Sequence, residues 1–413
     1  MKEVKKCRIC KSTEFMPVMS LGHQVMTGTF PKSINEHITG GPVDLIRCSS
    51  KNGCGLVQLK QSYDIEEMYG LNYGYMSSLN QSMVEHLHSK IDNILDMGIL
   101  LENDLVIDIG SNDATSLKRY PANKYDLVGI DPTGIKFASH YTSGIKLIPE
   151  FFSAEAVNKS INGKKAKVIT SFSMFYDLED PVAFAKEIAG SLQDDGIWVF
   201  EQSYMPAMLE NNSFDTICHE HLEFYSLHQI NWLLKEAGLK IVDVEFNDIN
   251  GGSFSVTASH KNSERPINIE VIESVFANEK DLMLNTSFPY DKFKERVENE
   301  KNSLMEFLVE AKKAGKKVCG LGASTKGNVL LQYYDITSDL ISEIGEVNED
   351  KFGSYTPGSL IPLVSENEVL KSNPDYIVIL PWHFKNFFVN LEKLKGKGFK
   401  LVFPLPEFHI IDI

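Results

Sequence analysis

Between residues 104 and 260 the chain alternates short apolar runs with longer mixed stretches. "DLVIDIG" (104–110), "DLVGID" (126–131), "AKVITSFS" (166–173) and "GIWVFEQS" (196–203) have few polar interruptions and many β-branched residues, as strands buried on both faces of a parallel sheet require. The stretches between them read as helices. In "DPVAFAKEIAGSLQDDG", Asp180 stands in an N-cap position before Pro181, and Gly196 is placed just beyond the end. A third strand is expected shortly before "EFF" (150–152). The series closes on "LKIVDVEFND" and "SFSVTASH", joined by "INGG", which pair as a hairpin. The pattern predicts an open α/β sheet ending in an antiparallel pair.

Residues 264–315 carry helical periodicity with many charges, as in "DKFKERVENEKNSLMEFLVEAKKAGKK", and read as a solvated connecting helix. From 316, "KVCGLGASTKGNVLLQYY", "ISEIGEVNED", "PDYIVILPW" and "FKLVFPLPE" supply four strand-like runs and one helix starting near Ser324. They predict a second, smaller Rossmann-like domain. A chain of 413 residues exceeds one hydrophobic core, so several domains are expected on length alone.

The first segment is too short to build a large core, and its cysteines change the picture. Cys7-x-x-Cys10 and Cys48-SSKNG-Cys54 are two pairs separated by a loop, the ligand pattern of a structural zinc site in which four thiolates leave no open position. The predicted organisation is a zinc-binding domain over 1–80, a central domain over 81–263, connecting helices over 264–315 and a C-terminal domain over 316–413. The N-terminus "MKEVKKCRICKSTEF" lacks the apolar core of a secretory signal, and no run spans a bilayer. A cytoplasmic location without membrane partners is therefore expected. The net charge of −15 argues against nucleic acid as a partner.

"VIDIGSNDATSL" (106–117) is a strand, a tight turn and an expected helix start near Asp113. Asp108 lies near the strand end, Gly110 permits close backbone approach, and Asp131 closes the next strand 131 − 108 = 23 positions later, where a ribose-binding carboxylate falls in a βαβ site. The full G-x-G-x-x-G is absent. A dinucleotide needs its second glycine for the pyrophosphate, whereas S-adenosylmethionine has no phosphate and carries an amino acid and a sulfonium. The acidic and amide groups of Gly110-Ser111-Asn112-Asp113 suit the latter, with Asp131 on the ribose and Phe152 offering aromatic surface to adenine.

"FDTICHEHLEFYSL" (214–227) packs His219, Glu220, His221 and Glu223 into five positions. A metal site, an acid/base site and a structural polar cluster compete. The stretch follows the strand "GIWVFEQS" and so lies beyond the carboxyl edge of the sheet, where open α/β folds bind ligands. A histidine titrating near pH 6.5 suits proton removal from carbon beside a ketone, with a neighbouring glutamate to orient or assist it.

These motifs, together with "GIDPT" (129–133), "NGGSFSV" (250–256), "GLGASTKGNVLL" (320–331) and "YTPGSLIPL" (355–363), resemble the three-domain sugar C-methyltransferases that act on nucleotide-linked keto-deoxysugars. The resemblance covers nearly the whole chain. It implies a zinc-binding domain, a class I methyltransferase sheet and a C-terminal Rossmann-like domain, with structural zinc on Cys7, Cys10, Cys48 and Cys54. It implies S-adenosylmethionine held by Asp108, Gly110, Asn112, Asp131, Phe152 and Gln202. His221 is then the base and Glu220 its partner, with Tyr75 in the active site and Tyr73 as the other candidate; His219 and Glu223 are expected to hold the loop by hydrogen bonds. Asn250, Lys326 and Tyr355 fall to a nucleotide sugar, thymidine-linked in the family, with Lys326 at a helix start facing the pyrophosphate. The resemblance implies a monomer or small homo-oligomer. Two departures stand out. Cys218 occupies the place of an active-site tyrosine in some relatives, and Ala114 replaces a usual glycine, which is tolerated if the helix has begun there. The rival readings are an O-methyltransferase of the same architecture and a non-methylating sugar-nucleotide epimerase or binding protein; a dinucleotide oxidoreductase is disfavoured by the missing glycine.

Overall fold

The computed structural model describes residues 1–64, 68 and 76–413; the candidates Tyr73 and Tyr75 lie outside them. The central sheet has seven strands in the order Leu239–Asn247, Ser253–His260, Leu192–Ser203, Ala166–Phe172, Leu105–Ile109, Asp126–Ile130, Ile145–Ile148. Ser253–His260 runs antiparallel to both its neighbours, and the other pairings are parallel. The expected hairpin of the last two strands is present.

Period-two alternation explains why these runs are apolar throughout. Leu105, Ile107 and Ile109 enter one core with Phe175, Trp198 and Phe200. Val106, with Val168, Ile197 and Val199, enters another against Ile91 and Ile94 of the helix Gln81–Asp96. A slip of one residue would exchange the two sets, so register is strongly fixed. The helix Pro181–Ser191 begins as expected, Asp180 Oδ1 accepting from the Ala183 N–H at 3.1 Å. It ends at Ser191 rather than before Gly196, because the next strand already starts at Leu192. Gly196 is a strand glycine, where a Cβ would meet the Leu192 side chain at 2.9 Å and the Ala166 carbonyl at 3.0 Å.

The C-terminal sheet has six strands, in the order Leu363–Ser365, Ile344–Glu346, Val318–Leu321, Tyr376–Ile379, Lys400–Phe403, His409–Asp412, all paired in parallel except the last. The two edge strands were not expected from the sequence. The helix Thr325–Tyr333 begins where expected, Ser324 Oγ accepting from the Gly327 N–H at 3.1 Å. The connecting segment corrects its expectation. It forms two helices, Ile269–Asp281 and Phe288–Lys313, and the second buries Tyr290, Phe293, Val297, Leu304, Leu308 and Ala311. Its abundant charges occupy one face and conceal an apolar stripe at helical spacing.

The N-terminal sheet is antiparallel, in the order Glu223–Phe224, Val57–Leu59, Gly40–Cys48, Phe15–Val25. Its first strand comes from the histidine stretch. On the opposite edge, Gln332 exchanges two hydrogen bonds with the Val25 backbone, and the Asn328 amide donates to the Thr27 carbonyl at 2.8 Å. The N-terminal sheet therefore ends on the histidine stretch at one edge and on the helix Thr325–Tyr333 at the other.

Candidate active site

The four cysteine Sγ atoms lie within 4.8 Å of one another. A tetrahedron with Zn–S bonds of about 2.3 Å has edges of ~3.8 Å, so this cluster fits zinc with only slight contraction. The long second spacer is explained by Gly53, where a Cβ would sit 2.8 Å from Cys48 Sγ. One side chain inside the first pair was missed by sequence reasoning. Arg8 is buried, donates to the Leu59 carbonyl at 2.7 Å and to Ser62 Oγ at 2.9 Å, and lies 3.5 Å from Glu223. The zinc loop thus braces the histidine stretch; the only available signal was a charge enclosed between two ligands.

The candidate cofactor turn is built of acids. Asp108 is buried and accepts from Thr170 Oγ1 at 2.6 Å, and burial pushes its carboxyl up to about 7. Gly110 has φ +71. The Asn112 N–H donates to Asp131 Oδ2 at 2.8 Å, so the turn and the distant acid are joined directly. Asn112 Oδ1 accepts from the Ser77 N–H and Asp113 Oδ2 from that of Ser78, closing the turn from the other side. The expected helix near Asp113 is absent. A 3-10 turn forms only at Leu117–Arg119, and Ala114 has φ +61, so tolerance of alanine does not come from a helix already begun. Gln202 is buried with both amide atoms unpartnered, an orphan that asks for a ligand. Phe152 is half-buried with its ring 5.1 Å from Phe184. Glu201, also unforeseen, is buried between His86, Lys90 and Asn247, whose contacts hold it low against burial. An acid in an apolar strand was its signal.

The histidine stretch is pinned on both sides: the Leu222 N–H donates to the Tyr176 carbonyl, the Leu59 N–H to the Leu222 carbonyl, and Glu223–Phe224 pairs with Val57–Gln58. Its two histidines diverge. His219 is wholly buried against the edge of Tyr63, ring centres 4.6 Å apart, and burial lowers it to about 4. The Gln24 and Gly41 backbone also acts on His219, and Glu223 lies 3.5 Å from Arg8. His221 is fixed by Nδ1, which donates to the Thr216 carbonyl at 2.7 Å. This bond places the proton on Nδ1 and leaves the Nε2 lone pair available. Burial, assisted by the charge of Lys326, lowers His221 to about 4, so it is neutral at pH 7. Beside it, between Tyr176, Ser203, Met205, Met208 and Phe224, is a cavity of about 10 Å³, the space of one water. Burial raises Glu220, and one of its oxygens is unpartnered. Cys218 is a neutral thiol, pushed well up by burial and by Glu220.

Lys326 and Asn250 are brought together. The Lys326 ammonium donates to the Asn250 carbonyl, at a residue with φ +57. Burial lowers Lys326, opposed by Asp215. Asp215 accepts the Trp382 indole N–H at 2.7 Å. Tyr355 is elsewhere, its N–H on the Pro31 carbonyl at 2.9 Å. The cysteine cluster is the group of three or more metal-ligating side chains found among the described residues; His219 and His221 do not converge on a metal. No helix there is long and apolar enough to cross a membrane.

Comparison with known proteins accounts for the chain piece by piece. Residues 7–69 match a zinc binding domain family, 83–244 a methyltransferase domain family and 248–406 the C-methyltransferase C-terminal domain family. The C-methyltransferase NovU of Streptomyces niveus is 28% identical over 416 residues, spanning 99% of this chain and 97% of that protein. Among solved structures, an S-adenosylmethionine-dependent methyltransferase from Clostridium acetobutylicum (14% identity, 42% of this chain and 91% of that one) has a TM-score of 0.33. An O-methyltransferase family protein from Burkholderia thailandensis (18%, 45% and 59%) has one of 0.34. The last family model favours carbon over the oxygen acceptor of the rival reading. The chain is a methyltransferase whose three parts match, in order, a zinc binding domain, a methyltransferase domain and a C-methyltransferase C-terminal domain.

Proposed function

We propose that the enzyme methylates the carbon beside the ketone of a nucleotide-linked keto-deoxysugar, thymidine diphosphate being the expected carrier. The observation that carries this reading is the fixed tautomer of His221, whose free Nε2 lies on a pinned loop beyond the carboxyl edge of the methyltransferase sheet. Nε2 removes the proton, Glu220 assists, and the carbanion forms beside His221. Bound S-adenosylmethionine supplies the electrophilic methyl. Asp108, Asn112, Asp131 and Gln202 hold it, Gly110 letting it approach the backbone and Phe152 flanking its adenine. Asn250 is assigned to the sugar nucleotide, and by the sequence resemblance Tyr355 is assigned to it as well and Tyr75 of the first segment to the active site. The zinc is structural, and a cytoplasmic setting keeps its thiols reduced.

Product analysis by NMR with a thymidine diphosphate 4-keto-6-deoxyhexose tests the reaction; a methyl on oxygen, or none on any keto sugar, rejects it. His221→Asn should lower turnover by about 1,000-fold while leaving S-adenosylhomocysteine affinity unchanged by calorimetry. Because His221 is held near 4, it is a free base above that pH and is lost as a base only as pH falls through about 4. The acid limb of kcat/KM should accordingly lie well below the usual histidine range. A limb at about 6.5 would point to a solvated histidine instead.

A further inference from the structure

We propose that Trp382 of the C-terminal unit is a positioning residue for the reaction: through Asp215, its indole N–H holds the turn whose last carbonyl fixes the His221 imidazole. The inference rests on the reading of His221 as the base.

The contacts run in an unbroken line. The Trp382 indole N–H donates to Asp215 Oδ2 at 2.7 Å, and both residues are buried. Asp215 is the middle residue of the 3-10 turn Phe214–Thr216. The turn is closed by the Ile217 N–H on the Phe214 carbonyl at 2.9 Å and the Thr216 N–H on the Ser213 carbonyl at 3.2 Å. Its last carbonyl, that of Thr216, accepts from His221 Nδ1 at 2.7 Å, with Thr216 Oγ1 3.4 Å from the same nitrogen. A tight hydrogen-bonded turn moves as one body, so what grips Asp215 also grips that carbonyl. The imidazole has a second support in Tyr176, whose ring meets it in a T-shaped contact with centres 4.5 Å apart.

By sequence the turn lies in the methyltransferase part, yet its side chains are held from farther along the chain. Phe214 stacks on Tyr334, ring centres 5.3 Å apart, within the core that also holds Leu330, Ile336 and Trp382. The Asn212 side chain donates to the Pro406 carbonyl and accepts from Arg296 Nε, both at 2.8 Å. These contacts fix where the turn sits. The Trp382–Asp215 bond, one residue before Thr216, fixes how it is rotated. Burial raises the Asp215 carboxyl, and the charge of Lys326 and the indole N–H oppose the rise. A buried polar group deprived of its donor is costly, so without the indole N–H the carboxylate reorients and turns the Thr216 carbonyl with it. Nδ1 then loses its acceptor, and the proton moves to Nε2, the nitrogen that the reaction needs free.

The test is the tautomer of His221 in the full-length, zinc-loaded enzyme at pH 7, where His221 is neutral, read by NMR of its ring nitrogens. Turnover of a thymidine diphosphate 4-keto-6-deoxyhexose is measured alongside. The wild type should carry the proton on Nδ1. Trp382→Phe keeps an aromatic ring and removes the N–H; it should show protonation at Nε2, with kcat lower by about 10- to 100-fold and KM within about three-fold. Should that variant not fold, Asp215→Leu removes the acceptor and the buried carboxyl together and should give the same readings, whereas Asp215→Asn keeps an oxygen for the indole and should restore the Nδ1 form. An unchanged Nδ1 signal in Trp382→Phe or Asp215→Leu overturns the proposal and leaves the reading of His221 intact. A changed tautomer at unchanged kcat, or a raised KM at unchanged kcat, overturns it too. A wild-type enzyme protonated on Nε2, or one that turns over no keto sugar, overturns the proposal together with the reading beneath it.

Discussion

The two α/β sheets of this chain each set a strand and a glycine turn at the carboxyl edge, and they use the turn in opposite ways. In the central sheet Gly110 faces the flexible Met174 side chain, which a Cβ would meet at 3.1 Å. Asp108, Asp113 and Asp131 rim that turn, and no α-helix follows directly. In the C-terminal sheet Gly322 is pressed on Pro381, which a Cβ would meet at 2.6 Å, and Gly327 on Leu380 at 2.9 Å. A capped helix follows, and its lysine turns sideways onto the Asn250 carbonyl. The first turn sets its glycine against a yielding methionine within a rim of carboxylates; the second is filled by a proline and a leucine, so its glycines serve packing. Topology alone does not assign a ligand; what occupies the glycine's free side and the sign of the rim charge do so.

The largest expected effect breaks or sustains the first half of that contrast. Asp108 is raised to about 7 by burial, above the unfolded value near 3.9. Between those pH values the folded, ligand-free chain holds a proton that the unfolded chain has released, so stability falls as pH rises across the window and the charged carboxylate is a liability above it. Asp108→Asn should melt at a higher temperature than wild type at pH 8 and bind S-adenosylmethionine about 100-fold more weakly, as loss of a buried ionic partner implies. Calorimetry showing affinity within about three-fold would remove this turn from the cofactor site.

The next effect compares the two glycines. Gly322→Ala must adopt φ +83 and displace a proline ring, at about 2–4 kcal/mol. Gly110→Ala adopts φ +71 but meets only a methionine, which yields, so about 1–2 kcal/mol is expected. Urea midpoints should therefore fall further for Gly322→Ala. Equal shifts would mean that the C-terminal turn is no more tightly filled than the central one.

Legibility followed from how locally each feature is determined. Strands such as Leu105–Ile109 were plain because burial on two faces forces a continuous apolar run. Leu363–Ser365 and His409–Asp412 are edge strands of three and four residues, too short for a pattern to rise above the background. Glu223–Phe224 has two residues and pairs with Val57–Gln58 across the chain, so nothing local announces it. At the site, residue type and position beyond a strand end pointed to the His219–Glu223 stretch. Which histidine is free, and by which nitrogen, depended on a carbonyl five residues upstream that only the folded loop brings round. Lys326 was legible as a charge at a helix start, but its direction was set by Asn250, 76 positions away.

The smallest effect tests the turn that the sequence misjudged. Ala114 is fully buried at φ +61, a conformation that costs an L-residue about 1–2 kcal/mol. Ala114→Gly would relieve that strain. Against the gain stand the wider unfolded ensemble of glycine, about 0.4–1 kcal/mol, and the loss of a methyl packed among Leu117, Tyr120 and Val106, about 0.8 kcal/mol. The terms nearly cancel, so a stability change within about 0.5 kcal/mol is expected, and this balance explains why alanine is accepted at φ +61. A gain above about 1 kcal/mol would show that the methyl makes no useful contact. A loss of that size would show that the strain is absent, and that the turn is already helical at Ala114 as local pattern had suggested.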